Sequence, residues 1–373
     1  MPASVPFRAD IVGSFLRPTR LKKARADHGA GIIDDAALAA VEDAEIKNLV
    51  AHEHESGLEV ATDGEFRRAW WHFDFFGLLN GVEVVELDHG IQFAGVETRP
   101  QGLRVTGPIS FPADHPMLEH FRRLVADVAE GAAPAALPKM TIPAPTVLHF
   151  RLERDAVDVS VYPDRDSLFR DLATAYRDAV RAFYDAGCRY LQFDDTAWAY
   201  LCSDDELEKA RARGTDTEGL ADAYTDLINE SLRGRPDDMT ITTHVCRGNF
   251  RSTWISSGGY EPIAEHLLAG CDYDGYFLEY DSERAGGFEP LRFLPVGPKI
   301  VVLGLVTTKT GALEDRAEIV RRIEEAATFA PLGQLALSPQ CGFASTEDGN
   351  DLTDDQQWAK IAEVVSIARD VWA

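Results

Sequence analysis

The chain is poor in cysteine and in positive charge, and each shortage excludes something. Five cysteines in 373 residues, odd in number and widely spaced, do not describe a disulfide framework, so reduced thiols or metal ligands are the better reading. Lysine and arginine total 37 against 62 acids, a net charge of -25, which opposes binding to nucleic acid or to an anionic membrane. No apolar run is long enough to span a bilayer, and residues 1–10 lack the basic and apolar segments of a secretion signal. The chain therefore reads as cytoplasmic. Internal repeats, low-complexity tracts, a phosphate-binding GxxxxGK and a dinucleotide fingerprint are also missing.

What the sequence does contain is a repeated strand-then-helix rhythm. Apolar runs at 9–15, 58–62, 140–148, 190–193, 239–243, 276–278, 299–305 and 334–337 read as strands. The third must end or bulge early because of Pro143 and Pro145. Helices are expected at 34–57, 116–128, 167–186, up to about 232, at 260–269, from Asp315 with Glu318 at capping-box spacing, and from Thr353 onward. Residues 18–33 read as a basic loop, and 82–110 as a β-hairpin inserted after the second strand. Eight such units with polar residues gathered where strands end predict an α/β fold, a single (β/α)8 barrel over residues 1–373.

The chemistry centres on Thr243-His244-Val245-Cys246-Arg247. Strand side chains alternate, so His244 and Cys246 face the same way. Glu279 and Cys341 stand at the ends of the sixth and eighth expected strands. A lone buried cysteine is often only a small apolar residue. Four soft or hard donors at matching strand ends predict a zinc (Zn2+) site instead, with one imidazole, two thiolates and one carboxylate. Such a zinc, with a formal charge of about minus one, is a poor source of hydroxide but holds an added thiol as a nucleophilic thiolate. A free thiol with a pKa of about 8.5 is mostly protonated at neutral pH. The set therefore points to alkylation of a thiol.

Most other strand-end groups have two readings. Glu65 and Asp194 are anchors for a substrate ammonium or mere caps and loop ion pairs; Ser14, with the backbone of Val12 and Gly13, is a candidate carboxylate site. Lys309, Arg17, Arg67 and Arg247 are cations for an anionic substrate or solvated side chains, and Phe150, Trp198 and Tyr200 are pocket walls or core. The aromatic run from Trp70 to Phe76 reads as core, and Cys188 and Cys271 as structural residues at the opposite end of the barrel.

In Val12-Gly13-Ser14-Phe15, Asp63-Gly64-Glu65-Phe66-Arg67, Gln192-Phe193-Asp194, His244-Val245-Cys246, Glu279 and Cys341, the chain resembles the cobalamin-independent methionine synthase family, in a short form like its C-terminal catalytic barrel. The resemblance implies zinc on His244, Cys246, Glu279 and Cys341, homocysteine held by Ser14, Glu65 and Asp194, and transfer of a methyl group to its sulfur. Where the long enzymes have a histidine after the seventh strand, this chain reads Val306-Thr307-Thr308-Lys309, so Lys309 becomes the candidate proton donor or anion grip. The long enzymes also have a second barrel that helps bind folate, which leaves the methyl donor open. A thiol alkyltransferase of the epoxide and coenzyme M type, and a non-catalytic barrel stapled by zinc, are the other readings.

Overall fold

A parallel strand covered on both faces must be apolar throughout, and Ile-Val-Val-Leu-Gly-Leu-Val at 300–306 is fully buried along its length. The computed structural model describes residues 5–133, 135–153 and 155–373. Its strands are β1 (Val60–Ala61), β2 (Asn80–Glu86), β3 (Gln92–Phe93), β4 (Val96–Glu97), β5 (Gln101–Ser110), β6 (Leu137–Pro143), β7 (Tyr190–Asp195), β8 (Thr240–Val245), β9 (Gly275–Glu279), β10 (Ile300–Val306) and β11 (Leu335–Pro339). Seven of them form one parallel sheet in the order β1-β6-β7-β8-β9-β10-β11. Residues 8–15 lie between its two ends: Ala9 bridges Leu337 in parallel, and the Phe15 amide donates to Gly64 O at 3.1 Å. The sheet is thus curled, in an α/β fold of the TIM-like kind.

Helices separate the strands, several of them opened by side-chain caps. Asp34 caps Asp35–Glu55 through Ala37 N, Asp164 caps Arg165–Asp185 through Ser167 N, and Thr353 with Gln356 forms a full capping box on Asp354–Val371. Asp315 caps Arg316–Ala326 through the Ala317 amide, not through the expected pairing with Glu318. Among the described residues no helix is long and apolar enough to cross a membrane.

The structure departs from the sequence reading in three places and agrees with it in a fourth. The expected first strand, 9–15, keeps a single bridge because the Asp10 carboxylate takes the Phe7 and Ile11 amides at 3.1 and 2.7 Å, in competition with a ladder. The third strand stops at Pro143, the early end its prolines predicted, and Pro145 opens a short helix to Arg151 as its first-turn residue. The basic stretch after Pro18 is helical over Thr19–Gly29, where lysine, arginine and alanine are all good helix formers. Instead of a regular helix at 260–269, a π-helical turn covers Glu265–Gly270.

Between β1 and β6 the chain makes an antiparallel excursion. β2 pairs with β5 from Val82 opposite Val105 to Glu86 opposite Gln101, and β3 pairs with β4 near the tip. The Ala94 amide donates to Trp254 O at 2.9 Å, which ties the tip to the loop after β8.

Candidate metal and thiol site

The curled sheet brings the ends of β8, β9 and β11 together. Donor atoms of His244, Cys246, Glu279 and Cys341 all lie within 4.8 Å of one another, and all four residues are buried. Cys246 Sγ and Cys341 Sγ are 3.7 Å apart, far beyond a disulfide bond. Two sulfurs bound tetrahedrally to zinc at about 2.3 Å each would stand about 3.8 Å apart, so the thiols are spaced for an ion between them. Glu279 Oε1 accepts the Arg247 amide at 2.8 Å while Oε2 is buried with no partner, an orphaned acceptor that a cation would satisfy. The donor set and its spacing fit zinc.

A second layer orients these groups. Asp194 Oδ1 is 3.4 Å from His244 Nδ1, which leaves Nε2 to face Glu279 Oε1 at 3.9 Å. Gln192 Nε2 in turn donates to Asp194 Oδ1 at 2.7 Å. This carboxylate-histidine pairing is the usual support of a ligating imidazole. Among the protein groups alone, burial pushes His244 down, but Cys341, Asp194 and Glu279 outweigh it and raise the imidazole to about 9. The Cys341 thiol is lowered: burial opposes this, but the hydrogen bond from Cys246 and the charge of His244 prevail. Cys246 is raised well above the usual thiol range, first by that same hydrogen bond and then by burial.

Above the four donors lies a cavity of about 30 Å³, lined by His244, Cys246 and Cys341 together with Val12, Ser14, Glu65 and Asp194. Gly13 sits beside it with φ +138°, and a Cβ there would meet Thr141 Cγ2 at 2.9 Å, so the turn presenting Val12 and Ser14 requires glycine. Glu65 is buried with φ +58°; its Oε1 accepts from Thr141 Oγ1 at 3.1 Å and Oε2 has no partner. Burial raises the Glu65 carboxyl to about 7, against the pull of Arg68. Arg17 fastens three site loops at once, donating to Phe15 O, Ala344 O and Glu65 O. Arg67 pairs with Glu42 and Asp43, and Arg247 lies over the Tyr260 ring.

Two candidates stand elsewhere. Phe150 lines a neighbouring cavity, its ring 5.0 Å from that of Tyr200. Lys309 places Nζ 3.3 Å from Gly248 O, behind the loop that carries Cys246. Trp70 and Trp71, read from the sequence as core, line the small cavity, and the structure adds His72, Phe93, Arg151 and Asn249, to which sequence reasoning gave no site role. Their signal was position, since Trp70 to His72 follow the second strand's polar end directly, whereas Phe93 arrives from the excursion and had none.

A curled parallel α/β sheet with two thiols, an imidazole and a carboxylate converging where its strands end is an enzyme-type scaffold carrying a donor set suited to a soft-ligand metal. The chain belongs to the family of the cobalamin-independent synthase catalytic domain, whose model matches residues 7–364, and is thereby an enzyme of the methionine synthase type of methyltransferase. It is 51% identical over 370 residues to the uncharacterized protein YxjG of Bacillus subtilis, covering 98% of this chain and 95% of that one. It is 25% identical over 339 residues to the 5-methyltetrahydropteroyltriglutamate-homocysteine methyltransferase of Mesorhizobium japonicum, covering 90% of this chain but 39% of that longer protein. A solved structure from Listeria monocytogenes, provisionally named a vitamin-B12-independent methionine synthase, superposes with a TM-score of 0.78 at 42% identity, covering 99% of this chain and 98% of the other.

Proposed function

We propose that the protein is a zinc-dependent S-methyltransferase that transfers a methyl group to the thiol of homocysteine and forms methionine. The observation that carries this reading is the convergence of four metal-type donors beneath a cavity that also holds two further carboxylates, Glu65 and Asp194. In this reading the sheet closes as a (β/α)8 barrel with residues 8–15 as its first stave, and the excursion at 80–110 is an insertion that roofs the site. His244, Cys246, Glu279 and Cys341 would hold zinc, which when bound keeps a substrate thiol deprotonated and nucleophilic.

The chain's own groups do the rest. Glu65 and Asp194 take the substrate's ammonium group, and the Ser14 hydroxyl with the Val12-Gly13 backbone takes its carboxylate. Asp194 also holds the His244 ring in one orientation, and the Lys309 charge supports the Cys341 thiolate from behind. Trp70, Trp71 and Phe93 keep water from the reacting sulfur, which strengthens every charge interaction within.

Zinc K-edge absorption on the purified protein tests the core of this reading. Two sulfurs around the metal are expected without substrate and three with homocysteine; an unchanged shell would remove homocysteine as the zinc-bound thiol. A second expectation concerns pH. Since burial raises the Glu65 carboxyl to about 7, it is largely neutral below that pH and a poor ammonium partner. Affinity for methionine, which has no thiol to titrate, should rise by roughly 3- to 10-fold between about pH 5.5 and 7.5 as the carboxyl ionises. Calorimetry should show the rise flattened in Glu65→Gln; a rise of the same size in the variant would remove Glu65 as the anchor.

A further inference from the structure

Next to the small metal cavity lies a second of about 330 Å³, and the two share His72, Ile91 and Arg151 as a common wall. Its size falls at the lower end of the roughly 300–1,000 Å³ typical of organic-ligand sites. The excursion forms the roof with Leu87, Ile91 and Leu103, while Phe150 and Tyr200 form an apolar floor. One end is charged: Arg151, Lys209 and Arg213 face Glu153 and Glu206. Lys209 Nζ pairs with Glu206 at 2.6 Å. Neither arginine is in an ion pair among the described residues. Arg151 donates to the Tyr200 hydroxyl and has a buried, unpartnered Nε, and Arg213 donates to Phe150 O at 3.3 Å.

His72 is the second observation. It is 1% exposed, and neither ring nitrogen has a partner, although a buried imidazole ordinarily finds one. Its ring packs among Trp70, Trp71 and Phe73 at the place where both cavities meet. Burial, helped by the charge of Arg151, holds it well below the usual imidazole range, so one nitrogen carries a hydrogen and the other is free to accept.

We propose that the second cavity is the alkyl-donor chamber of the enzyme: it takes an organic oxyanion with an apolar body, held by Arg151 and Arg213, whose leaving atom reaches the N–H of His72 at the shared wall. This rests on the thiol reading of the first cavity. In the transfer, the S–C bond forms from the thiolate, and the bond from that carbon to the donor's leaving atom breaks with its electron pair remaining on the leaving atom. That atom takes up, through solvent, the proton the thiol lost on binding. His72 contributes a hydrogen bond to the leaving atom and is not consumed.

Calorimetry on the zinc-loaded protein tests the chamber with three probes that share a phenyl ring: benzoate, phenyl phosphate and the neutral benzyl alcohol. At least one anion should bind more tightly than the alcohol, and which one distinguishes a carboxylate donor from a phosphate donor. Arg213→Gln should weaken that anion about tenfold or more while leaving the alcohol unchanged, with Arg151→Gln as the second variant should the first not fold. The sulfur count at zinc with homocysteine should be the same in Arg213→Gln as in the parent. Failure of both anions to bind, or binding untouched by both variants, would overturn the chamber. Anion binding without a third sulfur at zinc would leave the chamber standing and remove homocysteine instead.

Discussion

Cys246→Ala and Cys341→Ala are each expected to leave the protein without stoichiometric zinc and to lower turnover by more than about 100-fold, beyond what loss of a supporting residue costs. Cys188→Ala should retain both metal and turnover. The contrast follows from placement. Cys246 and Cys341 put their sulfurs 3.7 Å apart beside His244 and Glu279, whereas Cys188 is buried at the far end of β7 with its thiol against Tyr190 O. A zinc held by three protein ligands instead of four loses a thiolate, its strongest class of donor here. Metal analysis after dialysis, with circular dichroism to verify folding, decides the matter. Full zinc occupancy in both alanine variants would remove the ligand assignment altogether.

The second large effect is on stability. Lys139 and Asp10 form an ion pair at 3.3 Å with both side chains wholly buried. Asp10 also accepts the Tyr190 hydroxyl at 2.9 Å, and the Lys139 ammonium lies over the Phe277 ring, 4.1 Å from its centroid. Burial lowers the Lys139 pKa, while Asp10 works in the opposite direction. Lys139→Met removes one partner and strands the other charge in the interior, which costs about 3–5 kcal/mol. Asp10→Asn combined with Lys139→Met should recover part of that loss, because the unpaired charge is gone as well. Chemical denaturation of the parent and the two variants reads both numbers, and zinc content should be unchanged in each, since the pair stands at the opposite ends of the strands from the metal donors. A cost below about 1 kcal/mol for Lys139→Met would show that Asp10 is satisfied without the lysine.

The two predictions separate what the ends of the strands do. In the proposed reading, the polar residues where strands finish carry metal and substrate chemistry. Those where strands begin, such as Lys139 and Tyr190, tie the first segment to the sheet. This division is the ordinary one for parallel barrels, and it is why a buried lysine near a strand start is read as structural in this chain while a buried glutamate at a strand end is proposed as functional.

Much of this was legible in the order of residues. Strand alternation places His244 and Cys246 on one side whatever the tertiary fold, and the short, mainly apolar runs at 190–193 and 299–305 read as buried strands from their length and their β-branched and aromatic residues. Repetition of strand and helix then restricts the connections to parallel neighbours, which is how Glu279 and Cys341 could be paired with His244 in advance. Local competition was harder to read: Asp10 drawing in nearby amides, and Pro145 opening a helix, turn on which of two hydrogen-bonding solutions wins. Only the tertiary structure decided the walls. That Trp70, His72 and Phe93 meet above the metal donors, that Phe150 turns to a neighbouring cavity and that Lys309 stays behind Gly248 depends on how loops from distant segments pack over the sheet. Loops lack the fixed period that lets a sequence announce where its side chains point.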